Sequence, residues 1–169
     1  MKMKKSLEPV FQNNADVLIL GSMPGEESLR KQEYYGYPRN QFWRLMVDIT
    51  GFPMPESYGE RLSALTRTGI ALWDVIGSCL RSGSLDTNIK GEKPNELLNF
   101  IDGFDSLRAV FFNGQKSARS FNRSFGFKSL EERRIEYRII PSSSPAHTMS
   151  YENKYSSWCE IKTFLRPFS

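Results

Sequence analysis

Four short apolar runs constrain this chain more than anything else in it: "DVLILG" at 16–21, "GIALWDV" at 69–75, "LRAVFFNG" at 107–114 and "YRIIPSS" at 137–143. Each is nearly continuous in apolar residues and is bounded by Gly, Pro, Asn or Ser, as a strand covered on both faces requires. Helical patterns separate them. "QFWRLMVDITG" (41–51) places Phe42, Leu45, Met46 and Ile49 on one face and stops at Gly51. "SYGERLSALTRT" (57–68), "QKSARSFNRSF" (115–125) and "SYENKYSSWCEIKTFL" (150–165) read as further helices, the last with Ser150 as N-cap. "PNELLNFIDGF" (94–104) offers Pro94 as a first helical residue. Strand alternating with helix predicts an α/β fold, a three-layer sandwich with a central four-stranded, mostly parallel sheet flanked by helices and joined by right-handed crossovers. No repeat or linker divides residues 1–169, so a single domain is expected.

Bulk properties narrow the class. The net charge of +4, from 23 basic and 19 acidic residues, leans toward polyanions without establishing nucleic-acid binding. Cys79 and Cys159 lie far apart with no CxxC spacing and one histidine in the whole chain, which excludes a zinc site or a four-thiolate cluster. Two reduced thiols, no apolar leader behind "MKMKKSLEPV" and no run of the roughly 18 apolar residues a membrane helix needs predict a soluble, intracellular protein, cytoplasmic if prokaryotic.

In α/β folds the binding crevice lies beyond the carboxyl ends of the strands. Here those ends are "GSMPGE", "WDVIGS", "FFNGQ" and "PSSSPAH", which should gather on one rim. Ser142, Ser143 and Ser144, held between Pro141 and Pro145, offer hydroxyls and amides to a phosphate, or simply cap and turn. Asn113 and Gly114 precede a helix, where close backbone approach and anion attraction compete with an ordinary turn. Asp74, a carboxylate in an apolar run, either pairs with an arginine, caps the next segment or accepts from a ring N–H of a base. Asn40 is an N-cap or, through an amide that both accepts and donates, a residue that holds water and leaving group. His147, the lone histidine, reads as a surface or DNA-contacting residue. Gly21 to Trp43 ("GSMPGEESLRKQEYYGYPRNQFW") reads as neither turn nor helix, and its Tyr34, Tyr35 and Tyr37 either pack the loop or face a heteroaromatic ring, with base stacking worth about 1–3 kcal/mol.

Taken in order, these motifs resemble the uracil-DNA glycosylase superfamily: "GSMPG" (21–25) is similar to its first motif and "PSSSP" (141–145) to its second. The intervening "FNG" and "PRNQFW" (38–43) resemble the mismatch-specific thymine/uracil branch, and the whole combination is most similar to the hypoxanthine-DNA glycosylase (deoxyinosine glycosylase) family. Met23 stands where the mismatch branch carries a catalytic Asn, Ile140 where uracil enzymes often carry His or Asn, and small residues from Ser144 to His147 where a large apolar wedge is usual.

The resemblance implies a monofunctional glycosylase that hydrolyses the N-glycosidic bond of deoxyinosine in DNA, frees hypoxanthine and leaves an abasic site. Asn40 would be the catalytic residue. Tyr35, with Tyr34 beside it, would stack on the flipped base, Asp74 would read its N1–H, and Ser22, Met23 and Asn113 would line the base pocket. Pro24, Gly25, Ser142, Ser143, Ser144, Pro145 and His147 would hold the DNA. No cofactor or metal is implied, a monomer is expected, and no lysine lies in the motifs to support a Schiff-base lyase step. Three other functions stay open: a uracil/thymine mismatch glycosylase, a damage-binding module without catalysis, and a hydrolase of free nucleosides.

Overall fold

The computed structural model describes residues 2–166. In chain order the elements are β1 (Met3–Lys5), β2 (Val17–Gly21), α1 (Glu26–Lys31), α2 (Phe42–Thr50), α3 (Tyr58–Arg67), β3 (Ile70–Asp74), β4 (Ile76–Leu80), β5 (Lys90–Pro94), α4 (Leu97–Asp102), β6 (Ala109–Asn113), α5 (Gln115–Ser124), α6 (Lys128–Glu132), β7 (Glu136–Ile140) and α7 (Tyr151–Trp158). Single 3₁₀ turns at Asp86–Asn88 and Cys159–Phe164 complete the list.

The four apolar runs form one sheet in the order β3-β2-β6-β7, and every pairing in it is parallel. Alternate residues of each strand face opposite layers. Val17 and Ile19 of β2, Ile70 and Leu72 of β3 and Phe111 of β6 pack against α2, α3 and the C-terminal helices, where Phe42, Leu45, Leu65, Trp158 and Ile161 are fully enclosed. Leu18, Leu20, Ala71, Val110 and Phe112 face the other way, onto Leu97, Ile101, Ala118, Phe121 and Leu130 of α4, α5 and α6. Both faces of the inner strands are therefore covered, which is why β2, β3 and β6 carry no polar alternation, while the edge strand β7 ("EYRII") stays partly exposed.

Three expectations need correction. Gly21–Trp43 is not wholly irregular, because Glu26–Lys31 forms α1, with acidic residues in its first turn and basic ones in its last. Pro94 does not open a helix; it closes β5, and α4 begins at Leu97. A second sheet, antiparallel with order β1-β4-β5, was not expected at all. Elsewhere Ser57 and Ser150 cap α3 and α7, accepting from Glu60 and Asn153 N–H groups at 3.1 and 3.2 Å. The C-terminal helical pattern divides at Cys159 into α7 and a 3₁₀ turn. No helix among the described residues is long and apolar enough to cross a membrane.

β2 pairs with β3 on one side and β6 on the other: the chain steps from β2 to β3 in one direction and then crosses back over β2 to β6 in the other. That reversal opens a crevice at the carboxyl ends of β2 and β6. The fold thus places Gly21, Asp74, Asn113 and Ile140 on one rim.

Candidate active site

A cavity of roughly 850 Å³ occupies that rim, within the range of small-molecule and base pockets. Every residue singled out from the sequence borders it: Asn40, Asp74, Asn113, Tyr34 and Tyr35, the first motif from Ser22 to Gly25, and the serine loop with Pro145 and His147. Their roles in holding the cavity together differ.

The serine loop is clamped from four sides. Asn113 Oδ1 accepts the Ser143 N–H at 2.9 Å, and Asn113 Nδ2 donates to Ser143 Oγ at 3.0 Å. The Gln41 N–H donates to Ser143 O at 3.0 Å, Trp158 Nε1 to Pro141 O at 2.8 Å, and Lys154 Nζ to Ser144 O at 3.0 Å. Within the loop, Ser142 Oγ accepts from Ser144 N–H and Ser144 Oγ from Ala146 N–H, so both hydroxyl hydrogens remain free to donate outward. Ser143 is buried and acts as the keystone, while Ser142 and Ser144 are half-buried and His147 is exposed. Gly114, at φ 94°, lets β6 turn into α5 directly under Ser142; a Cβ there would meet Ser142 Cβ at 3.2 Å.

The first motif is fastened on its other side to the unexpected sheet. Val75 and Ile76 N–H groups donate to Gly21 O and Ser22 O at 2.8 and 3.0 Å. Ser22 Oγ donates to Asp86 at 2.7 Å, Ser84 Oγ accepts from the Glu26 N–H at 2.8 Å, and the buried Arg81 guanidinium donates to Pro24 O. The amides of Ser22, Met23 and Gly25 have no acceptor among the described residues, leaving three donors along the strand end. The Met23 side chain packs on Ile76 and Cys79 and Pro24 is buried, so that Met23 presents backbone rather than side chain to the cavity.

Asn40 Oδ1 accepts the Phe42 N–H at 3.0 Å, which fixes the amide orientation and turns Nδ2 away from the helix. Asn40 is not the N-cap expected of it, because Gln41 holds that position and Asn40 makes a local turn one residue ahead. Its Nδ2 has no protein partner among the described residues, and Oδ1 keeps a second lone pair. Tyr34 is only 4% exposed, its hydroxyl donating to Glu8 O at 2.6 Å and its carbonyl accepting from Trp43 Nε1 at 3.1 Å, so its ring belongs to the core wall. Tyr35 lies closer in. Its ring is stacked on Phe42 with centroids 3.9 Å apart, its backbone is held at φ 53°, and its hydroxyl accepts from Asn113 Nδ2 at 3.1 Å. With one ring face committed to Phe42, what Tyr35 brings to the cavity includes its hydroxyl edge.

Asp74 is 4% exposed, its carboxyl takes no hydrogen bond among the described residues, and Oδ2 is enclosed without a partner. Burial, reinforced by Asp86 and opposed by Arg81, pushes its pKa up to about 7. Burial likewise raises the Tyr34 and Tyr35 phenols well above their usual range, so both are neutral. Asp74 is the polar group that the fold leaves unserved at the cavity wall.

Several residues of the site carry no signal in the sequence. Ser84, Leu85 and Asp86 line the cavity from a segment without periodicity, and Leu85 is 53% exposed there. Arg81 and Lys154 are 2% and 1% exposed, the reverse of what their residue types promise. Lys116 and Arg119 of α5 add positive charge at the rim, the former paired with Glu92 at 3.1 Å. Among the described residues no group of His, Cys, Asp and Glu could hold a metal ion.

Known proteins resemble this chain over nearly its whole length. The model of the uracil DNA glycosylase superfamily matches residues 8–166. A protein named hypoxanthine DNA glycosylase from Methanosarcina barkeri is 40% identical over 160 residues, 93% of this chain and 96% of that one. Another of the same name from Methanosarcina acetivorans is 35% identical over 158 residues, covering 92% and 95%. The solution NMR structure of a uracil DNA glycosylase candidate from Methanosarcina acetivorans superposes with a TM-score of 0.83 at 33% identity, over 96% of this chain and 99% of that one. With its parallel sheet, its rim cavity and a likeness that runs nearly end to end, the chain belongs to the uracil DNA glycosylase superfamily and is a DNA glycosylase, a hydrolase of N-glycosyl bonds.

Proposed function

We propose that this glycosylase hydrolyses the N-glycosidic bond of deoxyinosine in DNA, releasing hypoxanthine and leaving an abasic site. The observation that carries the reading is one cavity lined together by Asn40, whose Nδ2 is unpartnered, by the unserved Asp74 carboxyl and by the first motif with its free amides. The two relatives named for hypoxanthine agree with it.

A base inside the duplex is out of reach, so the nucleotide is flipped into the cavity; inosine, which pairs poorly, lowers that cost. The free hydroxyls of Ser142 and Ser144 grip the phosphates on one side of the flipped nucleotide, and Pro24, Gly25, Pro145 and His147 complete the contact. Cleavage puts positive charge on the sugar and negative charge on the purine. The free amides of Ser22, Met23 and Gly25 sit where they can stabilise that anion without reorganising. Asn40 orients the attacking water through the open lone pair of Oδ1 or donates to the leaving base through Nδ2. Water is the only co-reactant. The enzyme works as a monomer, and its DNA substrate puts it inside the cell.

The test is base release from oligonucleotides carrying one inosine or one uracil, for wild type and Asn40→Ala. Alkali-dependent breaks at inosine that vanish in the variant support the proposal. Release of uracil alone moves the enzyme to the mismatch reading, and binding without release of either base sinks the hydrolytic role.

A further inference from the structure

A hydrogen-bond chain crosses the floor of the cavity, and its direction is fixed by its first member. The Ser143 backbone N–H can only donate, so the amide atom of Asn113 that meets it at 2.9 Å must be the oxygen. Asn113 therefore turns its NH₂ toward Ser143 Oγ at 3.0 Å and Tyr35 Oη at 3.1 Å. A phenol that receives an N–H has its own hydrogen left to give, and the Tyr35 O–H has no acceptor among the described residues. The stack on Phe42 holds the ring, so the hydroxyl cannot swing away.

Next to this donor stands the Asp74 carboxyl, an acceptor once it is ionised. Gly21 separates them: a Cβ on that residue would lie 3.2 Å from Tyr35 Oη and 2.5 Å from Asp74 Oδ1. No side chain other than hydrogen fits at Gly21, and Tyr35 and Asp74 both line the cavity. Asp74 carries no hydrogen bond from the protein, and its charged surroundings are Asp86 and Arg81, with the Tyr34 and Tyr35 phenols nearby.

We propose that Tyr35, aimed by Asn113, is a specificity-determining residue of this site: its Oη–H donates to a ring carbonyl of the flipped base, beside the ring N–H that the reading of the site already gives to Asp74. Hypoxanthine presents that donor–acceptor edge as N1–H beside C6=O. Adenine presents the reverse, an unprotonated N1 beside an NH₂, and would set a ring lone pair against the carboxyl oxygen. A site built to pair a polar edge rejects the analogue that leaves its buried groups unpaired far better than a site built on shape. Asn113 is a positioning residue here. It acts through Tyr35 by dictating which way the phenol hydrogen points, and it ties that hydrogen to the loop that grips phosphate.

This inference rests on the reading of the site as one for deaminated bases, and its test is made independent of turnover. Duplexes carrying 2′-fluoroarabino-inosine, or the same sugar with unsubstituted purine, resist hydrolysis and differ only at the edge in question. Equilibrium binding by fluorescence anisotropy should favour inosine at least tenfold with wild type. Tyr35→Phe, which keeps the ring and its stack, should lose about tenfold toward inosine and nothing toward purine. Asn113→Asp should do the same, because its second oxygen would draw the Tyr35 hydrogen inward while still accepting from Ser143. Equal losses on both duplexes, or an unchanged preference in either variant, would overturn the proposal, as would a wild type without preference. If wild type shows the preference but releases no hypoxanthine from ordinary inosine DNA, the hydrolytic reading fails and edge recognition by Tyr35 stands.

Discussion

Replacing Asp74 by Asn should stabilise this protein, by an amount that grows with pH. Enclosure lifts the carboxyl from 3.8 to about 7, with Asp86 adding to the shift and Arg81 offsetting part of it. Between those two values the folded protein keeps a proton that the unfolded chain has released. Stability therefore falls as pH rises across that window and levels off above it. At about 1.4 kcal/mol per pH unit, the ionised carboxyl costs the fold about 4 kcal/mol. An asparagine of nearly the same shape escapes that cost. Thermal unfolding of wild type and Asp74→Asn should coincide near pH 4 and separate progressively to pH 8. At two to four degrees per kcal/mol for a chain of this size, the final gap is on the order of 10 °C. Activity on inosine DNA should fall in the same variant, since an amide oxygen is a weaker acceptor than a carboxylate. A gap that stays constant from pH 4 to 8 would refute the reasoning, because it would mean that Asp74 ionises in the fold as easily as in the unfolded chain.

Three further outcomes follow from the same geometry. Hypoxanthine release by wild type, measured under single-turnover conditions, should rise between pH 6 and 8 as Asp74 ionises and becomes the stronger acceptor, and Asp74→Asn should flatten that rise. Gly21→Ala puts a methyl 2.5 Å from Asp74 Oδ1; it should cost about 1–3 kcal/mol in denaturant titration and remove most base release. Lys154→Met removes a buried ammonium and its bond to Ser144 O at 3.0 Å; melting should change little, while anisotropy should show DNA affinity falling severalfold.

The central sheet was legible because its inner strands announce themselves: burial on both faces demands runs such as Val17–Leu20 and Ala109–Phe112, whereas the edge strand β7 was marked only by its short apolar end before Pro141. The rim residues followed from the strands, since Asn113 and Asp74 are their last residues. The second sheet gave no such sign. β5, "KGEKP", is mostly exposed and polar, so its pairing with β4 rests on backbone bonds rather than on a buried face, and Pro94 at its end imitates a helix start. The wall it supports, with Ser84 and Asp86, was invisible for the same reason. Lys154 and Arg81 were missed because residue type argues for solvent, and only the tertiary packing around Ser144 and Pro24 reverses that. Tyr35 was placed at the base, but its stack on Phe42 depends on a left-handed backbone that a non-glycine residue seldom adopts.

The position of β2 at the centre of the sheet has a consequence for synthesis. All five of its residues are buried, and its second neighbour, β6, ends at Asn113. On a ribosome, the strand must wait for about ninety more residues before that side can close. At 5–20 residues per second this leaves roughly 5–20 s during which an apolar strand has an open hydrogen-bonding edge. Codon choice that slows translation between Gly21 and Asn113 should therefore lower soluble yield more than slowing after Asn113, with the finished enzyme unchanged.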